Sequence, residues 1–150
     1  MGELFAVVSG KGGTGKTSLC AALATALAKE GKRVLCIDCD VGLRNLDISL
    51  GLSECGALSF WDVSEGGYSL EDAFRHPVYP TLAFLTAPMN CPVEKIDAAA
   101  FREMLGRARQ LYDYVFLDAP AGVDAGFRLA AQFADCFLLV TGAGPAAVRD

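Results

Sequence analysis

The residues from Ser9 to Ser18 read S-G-K-G-G-T-G-K-T-S, set between the apolar run Leu4-Phe5-Ala6-Val7-Val8 and a helical pattern. Gly10, Gly15, Lys16 and Thr17 stand at the fixed positions of G-x-x-x-x-G-K-[ST], a loop whose residue types follow from its chemistry. Glycines let backbone N–H groups close around phosphate oxygens without Cβ clashes. The next helix turns its positive N-terminal end toward the same anion. In that arrangement Lys16 reaches the β- and γ-phosphates, and the Thr17 hydroxyl is offered to Mg²⁺. A strand, this loop and a helix in succession also set the fold class: α/β, a mostly parallel sheet flanked by helices.

The rest of the chain carries that alternation on. Glu3 to Val8 reads as a buried strand of a sheet covered on both faces. The first helix is expected from about Gly15 to Glu30, with Leu19, Leu23, Ala26 and Leu27 as its core-facing stripe and Gly31 as its stop. Arg33 to Ile37 is the second strand, ending in Asp38-Cys39-Asp40. Carboxylates at the carboxyl edge of a strand sit where ligands bind in open α/β sheets. Asp38 and Asp40 share a face if the strand continues, though Asp40 already belongs to the loop if it does not. Spacing alone leaves two readings of them: acids that position water or a metal's water shell, or turn formers. Leu43 to Leu50 reads as a short helix ended by Gly51, and Phe60 and Trp61 as packed or half-packed aromatics. Ser69 to Asp72 has the pattern of a capping box opening a short helix to Arg75. Leu82 to Leu85 is a third strand, and Asp97 caps a helix over 98–112 with the stripe Phe101, Leu105, Ala108 and Leu111. Arg102, Arg107 and Arg109 on that helix read as a solvated face. Tyr114-Val115-Phe116-Leu117-Asp118 is an apolar strand ending in an acid, which beside a phosphate loop reads as a water-mediated Mg²⁺ site. A short helix near Asp124 to Gln132 and a strand from Cys136 to Thr141 complete the pattern.

Composition narrows the partners. The 150 residues make one domain, 53% of them hydrophobic, with a net charge of −5, which argues against a nucleic-acid partner because phosphate backbones call for a basic face. Without a basic leader or a run near the ~20 apolar residues of a spanning helix, the expected location is cytoplasmic. The six cysteines are expected to be reduced. Cys36 and Cys39 stand three apart on a strand and point to opposite faces, which disfavours chelation. His76 is the only histidine and is read as a surface or capping residue.

The second lysine of the loop, Lys11 before Gly12-Gly13-Thr14, is not demanded by the ordinary pattern. As G-K-G-G-T-G-K-T the loop resembles the deviant Walker A motif of the MinD/ParA family of ATPases, although a solvated loop lysine is the plainer reading of Lys11. D-C-D-V-G-L-R-N-L-D at 38–47 resembles the switch region of the family's MinD branch, the ATPases of bacterial division-site placement. D-A-P-A-G at 118–122 is similar to the family's D-x-P-x-G switch. The resemblance implies ATP bound by Gly10, Lys11, Gly12, Gly13, Thr14, Gly15, Lys16, Thr17 and Ser18, with Gly122 near the γ-phosphate. It implies Mg²⁺ held by Thr17 and, through its water shell, by Asp38 and Asp118. Asp40 would orient the attacking water, and Lys11 would cross a homodimer interface to the partner's nucleotide.

The same resemblance implies a dimer–monomer switch driven by hydrolysis, and division-inhibitor and topological-regulator proteins as partners. It covers the N-terminal portion of the family domain, so the fold is expected to be C-terminally incomplete, its last strand short of cover and its isolated form prone to association. Membrane attachment, to the inner face of the cell membrane, would come through a C-terminal helix beyond this chain. Flagellar-number regulators and ParA partition ATPases are the neighbouring readings, and a non-catalytic nucleotide-gated binding module is the reading from another class.

Overall fold

The computed structural model describes residues 1–9, 15–40, 57–88, 93–120 and 125–140. The expected helix at Leu43 to Leu50, Gly10 to Thr14 of the loop, and Gly122 lie outside them. In chain order the elements are β1 (Glu3–Val8), α1 (Lys16–Lys29), β2 (Val34–Asp38), α2 (Phe60–Ser64), β3 (Phe74–Arg75), β4 (Leu82–Leu85), α3 (Ala98–Leu111), β5 (Tyr114–Asp118), α4 (Ala125–Ala131) and β6 (Cys136–Leu139). The strands form one sheet in the order β3-β4-β2-β5-β1-β6. Every pairing is parallel except β3 with β4. The α/β expectation therefore holds, and β5 sits between β1 and β2.

Alternation along the strands divides the core in two. Leu4, Ala6, Val8, Leu35, Ile37, Val115 and Leu117 face α3 and α4, where Phe101, Leu105, Ala108 and Leu129 meet them. Val7, Val34, Cys36 and Phe116 face α1. Cys36 and Cys39 belong to opposite sides, as expected, and the cysteines Cys20, Cys36, Cys39 and Cys136 are free thiols.

The stripe expected for α1 is overturned. Its buried residues are Lys16, Cys20, Ala21, Ala24 and Ala28, while Leu19 is 40% exposed and Ala26 is exposed. Leu23 and Leu27 are only partly covered, at the flank. Helices pack as closely as their contact side chains permit, so the small residues took the sheet side. The consequence for function is direct: Lys16, Cys20, Ala24 and Ala28 are spaced by four, and the face that packs on the sheet also aims Lys16 at the strand ends.

Two other expectations need revision. Ser69 does cap a turn, accepting from the Glu71 N–H, but the turn is a 3₁₀ helix over Leu70–Asp72 that gives way to β3. There Phe74 pairs with Phe84 at the sheet edge, a long-range pairing that outweighs the local helix signal. A full capping box lies instead at Ser59 and Asp62, and it presents Phe60 edge-to-face to Phe101 at 5.2 Å. Arg109 is not on a solvated face: it pairs with Asp135 and donates to the backbone oxygens of Gly2 and Phe133 at 3.3 and 3.2 Å.

Asp97 caps α3 as expected, accepting from Ala99 N at 2.9 Å. His76 is a capping residue too, its Nδ1 accepting from Val78 N and Tyr79 N at 3.1 and 3.3 Å. Among the described residues β6 is an edge strand with Phe137 55% and Leu139 68% exposed. No helix of the described residues is long and apolar enough to cross a membrane.

Candidate functional site

The site is assembled at the carboxyl ends of β1, β2 and β5, over the N-terminus of α1. Gly15 enters the helix with φ 82° and ψ 14°, a left-handed conformation that favours glycine. Its carbonyl accepts the first helical bond, from Leu19 N at 2.9 Å. This turn starts the helix at Lys16 and so sets which face that lysine occupies.

The register of the parallel strands does the rest. Asp38 pairs with Asp118 across β2 and β5, and Asp118 with Val7 across β5 and β1. Residues in register on parallel strands project to one face, here the α1 side that Val7, Cys36 and Phe116 also face. Both carboxylates are thus delivered beneath the first turn of α1, each 1% exposed. The pairing runs past the strand ends, with Cys39 N on Asp118 O at 3.0 Å and Ala119 N on Val7 O at 3.1 Å. Asp40 lies just beyond β2, in the loop, and its N–H donates to Asp38 Oδ1 at 2.9 Å. The turn-former reading is therefore true of this pair, with Asp38 as the acceptor.

Lys16 is 8% exposed, and its Nζ makes a close ion pair with Asp118 Oδ1. The Thr17 hydroxyl donates to Asp118 Oδ2 at 2.9 Å, and Lys16 Nζ lies 3.5 Å from Thr17 Oγ1. Both oxygens of Asp118 are engaged. Burial pushes the Asp118 carboxyl above the usual carboxylate range; Lys16 and Thr17 pull it back, and Asp40 adds to the rise. The thiols at the rim stay protonated. Cys20 is raised first by its hydrogen bond with Cys36 and then by burial, and Cys39 by burial foremost. Such thiols are poor nucleophiles and metal ligands.

Of the expected site residues, Gly15, Lys16, Thr17, Asp38, Asp40 and Asp118 come together, while Ser18 is exposed on α1. Gly10, Lys11, Gly12, Gly13, Thr14 and Gly122 fall outside the described residues. The direct bond from Thr17 to Asp118 and the engagement of both Asp118 oxygens had no signal in the sequence.

The donors suit magnesium. They are hard oxygens, a hydroxyl and carboxylates, with the Thr17 hydroxyl 2.9 Å from Asp118 Oδ2, so Thr17 would bind the metal and the carboxylates would accept from its waters. Among the described residues no three His, Cys, Asp or Glu side chains group to hold a metal. Mg²⁺ needs no such cage, because it keeps several waters and takes one or two protein oxygens beside phosphate.

A family model described as the CobQ/CobB/MinD/ParA nucleotide binding domain matches residues 5–133. The chain is 38% identical over 151 residues to the septum site-determining protein MinD of a Synechocystis species, covering 100% of this chain and 57% of that protein. It thus spans little more than half the length of that relative. In the MinC:MinD cell division protein complex of Aquifex aeolicus, a chain 37% identical superposes with a TM-score of 0.84, over 98% of this chain and 59% of that one. The septum site-determining protein MinD of Pyrococcus horikoshii, complexed with Mg-ADP, is 31% identical with a TM-score of 0.82, over 99% and 61%. The chain thus belongs to the CobQ/CobB/MinD/ParA nucleotide-binding domain family, on its MinD side.

Proposed function

We propose that residues 1–150 are the P-loop portion of a MinD-like ATPase of bacterial division-site placement. It binds Mg-ATP, dimerises around it and returns to the monomer on hydrolysis. The observation that carries this reading is the convergence of Lys16, Thr17 and Asp118 at the strand ends, with Asp38 in register beside them. The Mg-ADP bound to the Pyrococcus horikoshii relative supports the choice of ligand.

In this reading the backbone of residues 10–15 and the first N–H groups of α1 cradle the phosphates. Lys16 donates to phosphate oxygens and neutralises charge that develops on them during transfer. Thr17 supplies its hydroxyl to the metal, and Asp38 and Asp118 hold the metal's water shell. When bound, Mg²⁺ neutralises phosphate charge and fixes the leaving group. Asp40, in the loop after β2, orients the attacking water. Lys11 of a partner subunit adds a second positive charge, and the Gly122 N–H meets the γ-phosphate.

A division inhibitor is the expected partner of the nucleotide-bound dimer, and the MinC:MinD cell division protein complex of the Aquifex aeolicus relative supports a division protein as partner. The location is the cytoplasm and, for a longer form, the inner face of the cell membrane. Phosphate release from Mg-ATP tests the reading. Lys16→Ala should lower it by about 10²-fold or more, the size of effect expected on loss of one transition-state donor. Wild-type turnover in that variant would sink the proposal. ATP binding without phosphate release would favour a nucleotide-gated module over an ATPase.

A further inference from the structure

The face of the sheet away from α1 carries a cleft that the strand-end site does not use. α3 packs on that face. Together with α2 and the 3₁₀ turn at Leu70–Asp72 it encloses a cleft of about 660 Å³, within the roughly 300–1,000 Å³ of ligand sites. Buried Leu70 and Met104 and half-buried Val63 give the cleft an apolar wall. Its charge is one-sided. Arg107 is already paired with Glu71, while Glu103 has no ion-pair partner among the described residues. Exposed Glu65 and Asp72 flank the lining segment in sequence, so carboxylate is in surplus. The Ser64 hydroxyl, on the same lining, is buried and has no hydrogen-bond partner among the described residues, an acceptor left open.

Two features of the backbone have no use within the chain's own packing. Tyr68 is 54% exposed at the cleft, and a constrained turn puts it there. Gly67 has φ 84°, and a Cβ at Gly66 would stand 2.7 Å from the Asp62 backbone oxygen, so both positions call for glycine. Gly106 is the reverse case. It lies in the middle of α3, where glycine is less stable than alanine, yet nothing stands within 4 Å of where its Cβ would be. The chain's packing gives no reason for glycine there, whereas a segment lying close against the helix does.

We infer that this cleft docks a basic segment of a partner protein. The stem of an arginine or lysine lies along Leu70, Met104 and Gly106, its cationic head meets the Glu103 carboxylate, and the Tyr68 ring supplies a cation–π face. The net charge of −5 draws such a segment in and repels nucleic acid and anionic lipid. The cleft shares no residue with the strand-end site, so the inference stands apart from the nucleotide reading.

NMR titration of the ¹⁵N-labelled 150-residue chain tests it, with the capped peptide Arg-Leu-Arg-Lys-Leu-Arg and its acidic counterpart Glu-Leu-Glu-Glu-Leu-Glu. The basic peptide alone should give saturable shifts, centred on the amides of Ser64, Tyr68 and Gly106. Glu103→Lys should weaken it by about tenfold, because like charges set together at an interface repel. Gly106→Leu should raise the melting midpoint by replacing a helical glycine, and by filling the wall should weaken the peptide by about tenfold. A glycine with only a structural role would move the midpoint alone. Equal affinity of the wild type and both variants overturns the docking site, as do shifts spread over the whole acidic surface, an equal response to the acidic peptide, or no saturable shift at all. Should Glu103→Lys fail to fold, Gly106→Leu decides alone, its melt showing that it is folded. Both variants should bind Mg-ADP as the wild type does, so a wild-type chain that binds no nucleotide loses the proposed function and not this cleft.

Discussion

Lys16 with Asp118 and Arg109 with Asp135 are both cation–carboxylate pairs, at opposite ends of one sheet. At the carboxyl end the pair is buried, and burial drives the Asp118 carboxyl above its ordinary range despite the ammonium beside it. At the amino end the pair is open to water, and the Arg109 guanidinium, helped by the Leu4 N–H, holds Asp135 below that range. The opposite shifts have one cause: the cost of stripping water from a charge, large at one end and small at the other. A buried pair is poor evidence for stability, because desolvation consumes much of its attraction. Its presence is better explained by the chemistry it is poised to perform. The amino-end pair instead ties α3, the start of β1 and the entry to β6 together.

The sharpest way to break this contrast is a thermal melt with Mg-ATP. At a hundred times its dissociation constant the ligand should stabilise the fold by about 2.7 kcal/mol. Lys16→Ala should lose that shift and Arg109→Ala should keep it; the reverse pattern would dissolve the division of labour.

Next in size is Gly2→Ala. A Cβ there would stand 2.0 Å from the Tyr112 backbone oxygen, so the N-terminus must move. Such overpacking costs about 1–3 kcal/mol, read as a lower melting midpoint with ligand binding unchanged. Arg109→Ala should cost about 1 kcal/mol, an exposed ion pair plus two backbone hydrogen bonds, discounted for solvent screening; denaturant unfolding measures it.

The smallest effect is in pH. Asp135 has a lowered folded value, so its contribution is present above the unfolded carboxylate range and fades as pH falls through the folded value. Asp118 has a raised value, so its contribution runs the other way, present in acid and lost as pH rises through the folded value. Melting midpoints of Asp135→Asn and wild type should therefore separate toward pH 6 and draw together as pH falls below the ordinary carboxylate pKa of about 3.9. A constant gap would mean that Asp135 acts through packing rather than charge.

How far the sequence alone was legible differs from element to element. Asp97 as the cap of α3 and Asp118 at the end of an apolar strand were legible because each is a local pattern. The buried side of α1 was not. Leucines on one side and Cys20, Ala24 and Ala28 on another offer two stripes at helical spacing, and periodicity does not choose between them. Close approach to the sheet chose the small one. Likewise Ser69 marks a cap correctly, but the edge of β4 decided that a strand, not a longer helix, comes after it.

The sequence by itself determined the loop type, the α/β alternation and the order of the acidic strand ends, because glycine placement, side-chain period and capping act over a few residues. Only the tertiary structure decided that Asp38 and Asp118 share a face, that Lys16 is buried, and that Lys16 and Asp118, 102 residues apart, hold each other. Those facts depend on which strands become neighbours and in what register, a choice made by packing over the whole sheet.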